Sequence, residues 1–476
     1  MASPAPQTTP SSALLTELAA LLDAAGLETG DAIETRFRKD WYAPLGPVPP
    51  LAVVRPRNTE EVAAVLALCH RLCQPVVPQG GLTGLAGAAT PEGGEVVLSL
   101  ERMRGVEEID VQAGTMTVMA GTTLQAAQEA ARAAGWLLAV DLGARGSCQI
   151  GGNIATNAGG NRVIRYGMMR DQVLGLEAVL ADGTVVSSLN KMQKNNAGYD
   201  VRQLFIGSEG TLGVITRAVL RLAPLPCATQ TALCALASYD DVVRLLRHAQ
   251  RKLSGRLSAF EVMWADFYGL VTTRVPGVRA PLPAGHPFYV LLDLQGNDDA
   301  QDGPVFEGML ESAMEAGLIQ DAAVASSNKE AQSFWQLRDA VAEFPVMWSP
   351  NAAYDVSLPI GRIGEFAETL RARLLSVWPH AEPVNFGHVG DSNLHVSVYL
   401  PGATDQDFPE HEISDLMYGV VQEFKGSVSA EHGIGFHKKP YLHCSRTPEE
   451  LALMRLLKRS LDPHNILSPG RVFDLG

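Results

Sequence analysis

The sequence predicts an α+β protein of more than one domain, and three observations carry that expectation. At 476 residues, and about 150 residues per ordinary domain, the chain has room for two or three. Its first half interleaves short strand-like runs with three glycine-rich stretches, and the composition changes after Pro224-Leu225-Pro226. Beyond that point single strands alternate with longer helices, an order that suits an antiparallel sheet with helices on one face.

Residues 1–12 are rich in Pro, Ser and Thr and lack both a basic start and an apolar core, so they read as a disordered tail, not a signal peptide. Leu14, Leu15, Leu18, Leu21 and Leu22 then recur at helical spacing, with Gly26 as the stop. Leu51 to Pro56 reads as a short strand. A helix follows to about Leu72, with Thr59 as its N-cap and Glu60 and Glu61 on its positive end. Pro75-Val76-Val77-Pro78 leads into the first glycine run, Gln79 to Ala88. A strand feeding close-spaced glycines lets backbone N–H groups approach phosphate oxygens. The spacing is neither GxGxxG nor GxxxxGK[ST], and a plain glycine turn fits it equally. The second run, Asp141 to Gly160, and the third, Gly207 to Ile215, leave room for something flat and large against the backbone. Between them Val96–Leu100, Met116–Ala120 and Glu177–Ala181 read as strands, and Thr122–Ala134 as a helix stopped by Gly135. In the second half, helices are expected over Tyr239–Leu253, Val305–Ala316, Ala331–Glu343 and Gly364–Trp378, and strands over Phe288–Leu294 and Tyr354–Leu358.

Apolar residues make up 46%, ample for burial, and the net charge of −14 speaks against nucleic acid, since phosphate binding needs the opposite sign. The six cysteines form no CxxC pair, which indicates neither a disulfide framework nor a thiolate zinc site and fits a reduced, cytoplasmic setting. No apolar run approaches the roughly eighteen residues needed to span a bilayer, so a soluble protein is expected.

The chemistry concentrates in Asn385-Phe386-Gly387-His388-Val389-Gly390-Asp391-Ser392-Asn393-Leu394-His395 and Ala430-Glu431-His432-Gly433. His388, His395 and Glu431 offer three ligands for a divalent metal with a fourth position open, and His432 adds a base. Leu394 to Leu400 alternates like a strand, which puts His395 on a strand and His388 in the glycine loop entering it. Each histidine alone reads as an ordinary hydrogen-bonded one. Three histidines and a glutamate within two short runs, out of 11 His in the chain, favour the site. A His2Glu set suits zinc and also manganese or cobalt.

With these residues laid out, the chain resembles flavin oxidoreductases of the vanillyl-alcohol oxidase type. Within them it is similar to the D-2-hydroxy-acid dehydrogenases related to D-2-hydroxyglutarate dehydrogenase, D-lactate dehydrogenase and the glycolate oxidase flavoprotein subunit. The similarity runs from about Leu51 to Phe473. It is carried by Gly198-Tyr199-Asp200, Gln203 to Gly213, the two metal segments and Leu461-Asp462-Pro463 to Arg471. The resemblance implies a two-subdomain FAD-binding domain over residues 13–224 and a cap domain with an antiparallel sheet, helices and the metal site over 225–430. A C-terminal segment, 431–476, would return to the FAD domain. FAD would lie along Gly80, Gly81, Leu82, Thr83 and Gly84 with its pyrophosphate, and along Gly146, Ser147, Gly151, Gly152, Asn153 and Ala158, with Ile215 near the adenine. Leu82 stands where covalent relatives often carry a histidine, so the flavin would be held non-covalently.

The resemblance further implies zinc or another divalent metal on His388, His395 and Glu431, His432 as general base, Asn393 as a substrate contact and Arg338 on the substrate carboxylate. By its own setting, Arg338 reads as a helix-surface residue paired with Asp339 or Glu343, and Trp335 as core. Enzymes of the 2-hydroxyglutarate type carry a threonine and a lysine where this chain has Ala342 and Ala353. Their loss removes donors for a second carboxylate and points toward D-lactate or a larger D-2-hydroxy acid. The implied partners are a small 2-hydroxy acid, an electron acceptor such as an electron-transfer flavoprotein or a quinone, and a second copy of the chain as a homodimer. A flavin oxidase, an alkyl-transfer enzyme and a subunit of a glycolate oxidase complex remain as alternatives on the same scaffold.

Overall fold

Short β-branched runs separated by glycine loops pair into small sheets in the first part of the chain, whereas the longer strands after Pro224 build one large sheet. The structure is a computed structural model that describes residues 10–41 and 48–476. It divides into two units, one of residues 1–160, 168–224 and 431–476, the other of residues 161–167 and 225–430.

In the first unit, Leu27–Thr29, Ala52–Val54, Val96–Ser99 and Val76–Gln79 line up in that order, the last two pairings being parallel. A second, five-stranded antiparallel sheet runs Val106–Asp110, Thr115–Met119, Val214–Arg221, Val173–Val179, Val185–Ser188. One apolar core serves both sheets.

Residues 10–12, read from sequence as tail, instead open the helix Pro10–Leu21. Proline is tolerated in a first helical turn, and Leu14, Leu18 and Leu22 bury at four-residue spacing, which gives the helix a docking face. The rest of the expected tail lies outside the described residues. The next helix, Thr59–Arg71, is capped by Asn58, whose side chain accepts from the Glu61 N–H, and not by Thr59. The Thr59 hydroxyl is already engaged at 2.7 Å by Glu177.

The second unit holds a seven-stranded antiparallel sheet in the order Asp321–Val324, Ala228–Leu236, Phe288–Gly296, Leu257–Trp264, Glu382–Gly387, Asn393–Tyr399, Asn351–Ser357. Helices cover both of its faces, not one as the element order suggested. On one face Leu233, Met263, Leu291 and Phe386 meet the helices Ala265–Arg274 and Asn328–Asp339. On the other, Tyr239 of the helix Tyr239–Leu253 packs its ring near Trp264 and Phe288. Both covers are needed because the central strands are buried residue after residue, without a solvent-facing alternation. The helix expected from Val305 starts at Asp299, because Asp298 caps it with bonds from the Ala300 and Gln301 N–H groups, and Pro304 is carried inside.

Candidate active site

Cross-strand pairing puts a row of side chains on one face of the large sheet. Glu261 lies opposite Leu291, Met263 opposite Phe386, Phe386 opposite His395 and His395 opposite Asp355. Because alternate residues share a face, Asp293, Glu261, Phe386, His395 and Asp355 all point the same way as the apolar cluster beside them.

His388 follows the strand Glu382–Gly387 and is buried. Its Nδ1 lies 2.6 Å from Glu261 Oε1, while Arg338 Nη2 approaches its Nε2 at 3.1 Å. Arginine can only donate, so Nε2 accepts and the ring proton is on Nδ1, where it is given to Glu261. The same Glu261 takes the Arg338 Nε–H on its other oxygen at 2.8 Å. Burial favours the neutral form of Glu261, but His388 and the Arg338 guanidinium outweigh it and hold the carboxyl down to about 2.

Arg338 is therefore neither on the helix surface nor paired with Asp339 or Glu343. It sits 6% exposed in the last turn of its helix, over the Phe386 ring. Its Nη1 donates to no acceptor among the described residues. Trp335, on the same helix, packs against the apolar cluster as read and also donates its indole N–H to Asp293 at 3.1 Å, beside Arg162.

His395 lies on the strand Asn393–Tyr399, as its alternation predicted, stacked on Phe386 with ring centroids 5.0 Å apart. Its centroid is 5.4 Å from that of His388. Asp355 is fully buried and fastens three things: Asn393 Nδ2 at 2.7 Å, Ser429 Oγ at 3.2 Å and the Ala430 N–H at 3.0 Å. Asn393 Oδ1 is buried with no hydrogen-bond partner among the described residues. Ala430 is the last residue of this unit, and Glu431 and His432 follow it as the next two residues in the first unit.

There Glu431 Oε2 accepts the Gly160 N–H at 3.0 Å. Glu209, in the third glycine run, accepts the Ile434 and Gly435 N–H groups, both at 2.8 Å. Burial pushes the Glu209 carboxyl up, and those two N–H groups and Lys438 pull against it.

The glycine runs separate into two kinds. A Cβ on Gly81 would fall 1.9 Å from the Ser147 carbonyl oxygen, and one on Gly151 would fall 2.7 Å from Ala120 Cβ; these glycines are required by backbone packing. Gly152 would meet nothing within 4 Å, and Gly146 only the end of Gln125. Gly80 faces Gly152, and Leu82 is held at φ +57° with Thr83 and Gly84 following. The N–H groups of Leu82, Thr83 and Gly84 donate to no acceptor among the described residues. Ser147 turns back to Ala144, and Asn153 and Ala158 close the short helix that follows. Ile215 is buried in the strand Val214–Arg221, opposite Ala178.

Sequence reasoning assigned no role to Glu261, Asp293, Asp355 or Glu209. The first three shared a signal, a single acid inside an otherwise apolar strand, where an unpaired charge is too costly to bury. Glu209 had a weaker one, a lone charge within a glycine run.

Residues 225–472 match the family described as FAD linked oxidases, C-terminal domain, and residues 50–188 match the FAD binding domain. The chain is 41% identical over 454 residues to a D-2-hydroxyglutarate dehydrogenase of Xanthomonas citri pv. viticola, covering 95% of each. It is 41% identical over 423 residues to the mitochondrial D-2-hydroxyglutarate dehydrogenase of Bos taurus, covering 88% of this chain and 76% of that one. Among solved structures it superposes on p-cresol methylhydroxylase with a TM-score of 0.77 at 18% identity, covering 98% of this chain and 97% of that one. Alkyldihydroxyacetonephosphate synthase gives 0.76 at 16%, covering 98% and 86%. At such identities these two likenesses speak for the fold.

Proposed function

The chain belongs to the FAD-linked oxidases, as an FAD-dependent D-2-hydroxy-acid dehydrogenase, and from that premise we propose that it oxidises a D-2-hydroxy acid to the 2-oxo acid with a divalent cation held by His388, His395 and Glu431. The observation that carries the metal reading is the state of His388. Glu261 fixes its proton on Nδ1 and so puts the ring's lone pair on Nε2, where Arg338 Nη2 lies at 3.1 Å and a cation would take that donor's place, the arrangement of a carboxylate-supported metal histidine. Its neighbour His395 supplies a second imidazole.

The cradle of the first unit fits FAD. Gly152 borders open space, Gly146 faces only the end of the Gln125 side chain, and the Leu82–Gly84 N–H groups are available to phosphate oxygens. Leu82 has no group that could bond to the flavin, which supports non-covalent binding. When bound, the flavin accepts the hydride equivalent from the α-carbon and the cation acidifies the α-hydroxyl.

The protein's part is to bind, orient and move one proton. Arg338 has an unused Nη1 and its fork suits a planar carboxylate. Asn393 Oδ1 is a buried acceptor without a protein partner and takes a substrate hydrogen bond. His432 removes the hydroxyl proton as general base. Ala342 and Ala353 are exposed and bring no donor, which favours D-lactate or a larger D-2-hydroxy acid over 2-hydroxyglutarate, the acid in the relatives' names. The acceptor is an electron-transfer flavoprotein or a quinone, the chain works as a homodimer, and its six free cysteines suit the cytoplasm.

Dye reduction by the purified yellow protein, measured across D- and L-2-hydroxy acids before and after chelation, tests the reading. Turnover of D-acids is expected, abolished by chelator and restored by zinc. Turnover that chelation leaves untouched would end the metal reading while leaving the FAD reading in place.

A further inference from the structure

Glu209 takes no part in the chemistry above, yet its carboxylate grips the backbone of the segment that carries Glu431 and His432. Its two oxygens are divided between successive N–H groups, Ile434 on Oε1 and Gly435 on Oε2, both at 2.8 Å. Successive N–H groups converge on one anion where the backbone alternates through left-handed conformations, and Gly433 and Gly435 stand at φ +83° and +50°. A Cβ on Gly433 would lie 3.0 Å from the Glu209 carboxyl carbon, so a side chain there would press on the carboxylate. Glu209 is itself held at φ +53°, with its N–H on the Ala155 carbonyl at 2.8 Å.

The far end of the segment is fixed as well. Phe436 and His437 donate their N–H groups to the Ala86 carbonyl, and Val472 donates to Gly435. The turn after His432 is thus tied to the third glycine run through Glu209, which is itself bonded to Ala155 of the second, and to the first through Ala86.

We propose that Glu209 is a positioning residue that sets Glu431 and His432 in register by clamping the Ile434–Gly435 backbone, a role that rests on the metal and base reading given above. Replacing the carboxylate by an amide puts an NH2 group against one of two N–H donors, so one clamp bond is lost and the turn that carries both residues is released.

The test uses the flavin-loaded protein, stripped of metal and titrated with zinc, alongside kcat and KM of the zinc-replete enzyme. E209Q is expected to keep its flavin, to bind zinc about 10- to 100-fold more weakly, and to lose kcat by a similar factor with little change in KM, because Arg338 and Asn393 are untouched. G433A crowds the same contact from the other side and should behave alike. Parental zinc affinity and kcat in E209Q would overturn the proposal. So would loss of flavin in both variants, which would make Glu209 a folding residue. If the parent itself takes up no zinc, the metal reading fails, and Glu209 is then judged on kcat against KM alone: a tenfold fall in kcat at constant KM sustains it, and an unchanged kcat overturns it.

Discussion

Replacing Glu261 by glutamine is the sharpest probe of the cap. The wild-type carboxylate serves two donors, Arg338 Nε at 2.8 Å and His388 Nδ1 at 2.6 Å. An amide has one oxygen. If that oxygen stays with Arg338, the NH2 group faces His388 Nδ1, which must then accept and pass its proton to Nε2. There the proton meets the Arg338 Nη2–H group and blocks any ligand bond. If the oxygen goes to His388, two donors face each other at Arg338, whose charge is left buried without its counter-ion. Either way one charge-assisted hydrogen bond is lost, worth about 1.5–3 kcal/mol, and at about 1.4 kcal/mol per decade this is roughly 10- to 100-fold in zinc affinity. The assay is zinc titration of the metal-stripped, flavin-loaded protein, with a thermal melt to register the cost to the cap. A yellow E261Q protein that binds zinc within about twofold of the parent, well inside the tenfold loss expected from one such bond, would refute the assignment of Glu261 as the support of a metal histidine.

Two further outcomes are expected. G81A should fail to hold a native first unit, since its Cβ would sit 1.9 Å from the Ser147 carbonyl, whereas G152A should melt like the parent yet lose FAD on gel filtration because only the cofactor would meet the new methyl; a G152A protein that stays fully yellow would remove Gly152 from the cradle. Asp23, gripped by Arg102 at 2.8 Å through both oxygens, has its carboxyl held from 3.8 down to about 2. Its contribution is therefore complete above 3.8 and lost as the pH falls through about 2, so D23N should flatten that stretch of the melting-temperature profile, and an unaltered acid slope would show the pair to be idle.

What could be read from the sequence was what local chemistry decides. The helix Tyr239–Leu253 was found to the residue, and His395 on its strand and His388 in its glycine loop were placed as found, because alternation and glycine act within a few residues. Helix ends were less legible: Asn58 and Thr59 are both competent caps, and the choice fell to Asn58 because Glu177, far along the chain, takes the Thr59 hydroxyl. The partner of Arg338 was missed for the same reason. A helical reading offers Asp339, which does not face it, and Glu343, while the bond goes to Glu261 on the sheet.

The glycine runs could be seen but not sorted, since Gly81 and Gly152 look alike until Ser147 is known to lie against one and nothing against the other. The strands Ala228–Leu236 and Leu257–Trp264 are apolar enough to be core of either kind, so nothing local marks them as the centre of a sheet covered on both faces. Yet Glu261 breaks the second of these runs, Asp293 the strand Phe288–Gly296 and Asp355 the strand Asn351–Ser357, and a buried acid survives only with donors around it. Their partners are Arg338 and His388, Arg162 and Trp335, and Asn393 with Ala430. Every one of these acids therefore marks a place where the fold gives up apolar packing to orient a donor, and two of the three hold residues assigned to metal or substrate. A lone acid in an apolar strand is the signal that would have led from this sequence to the supporting half of its site.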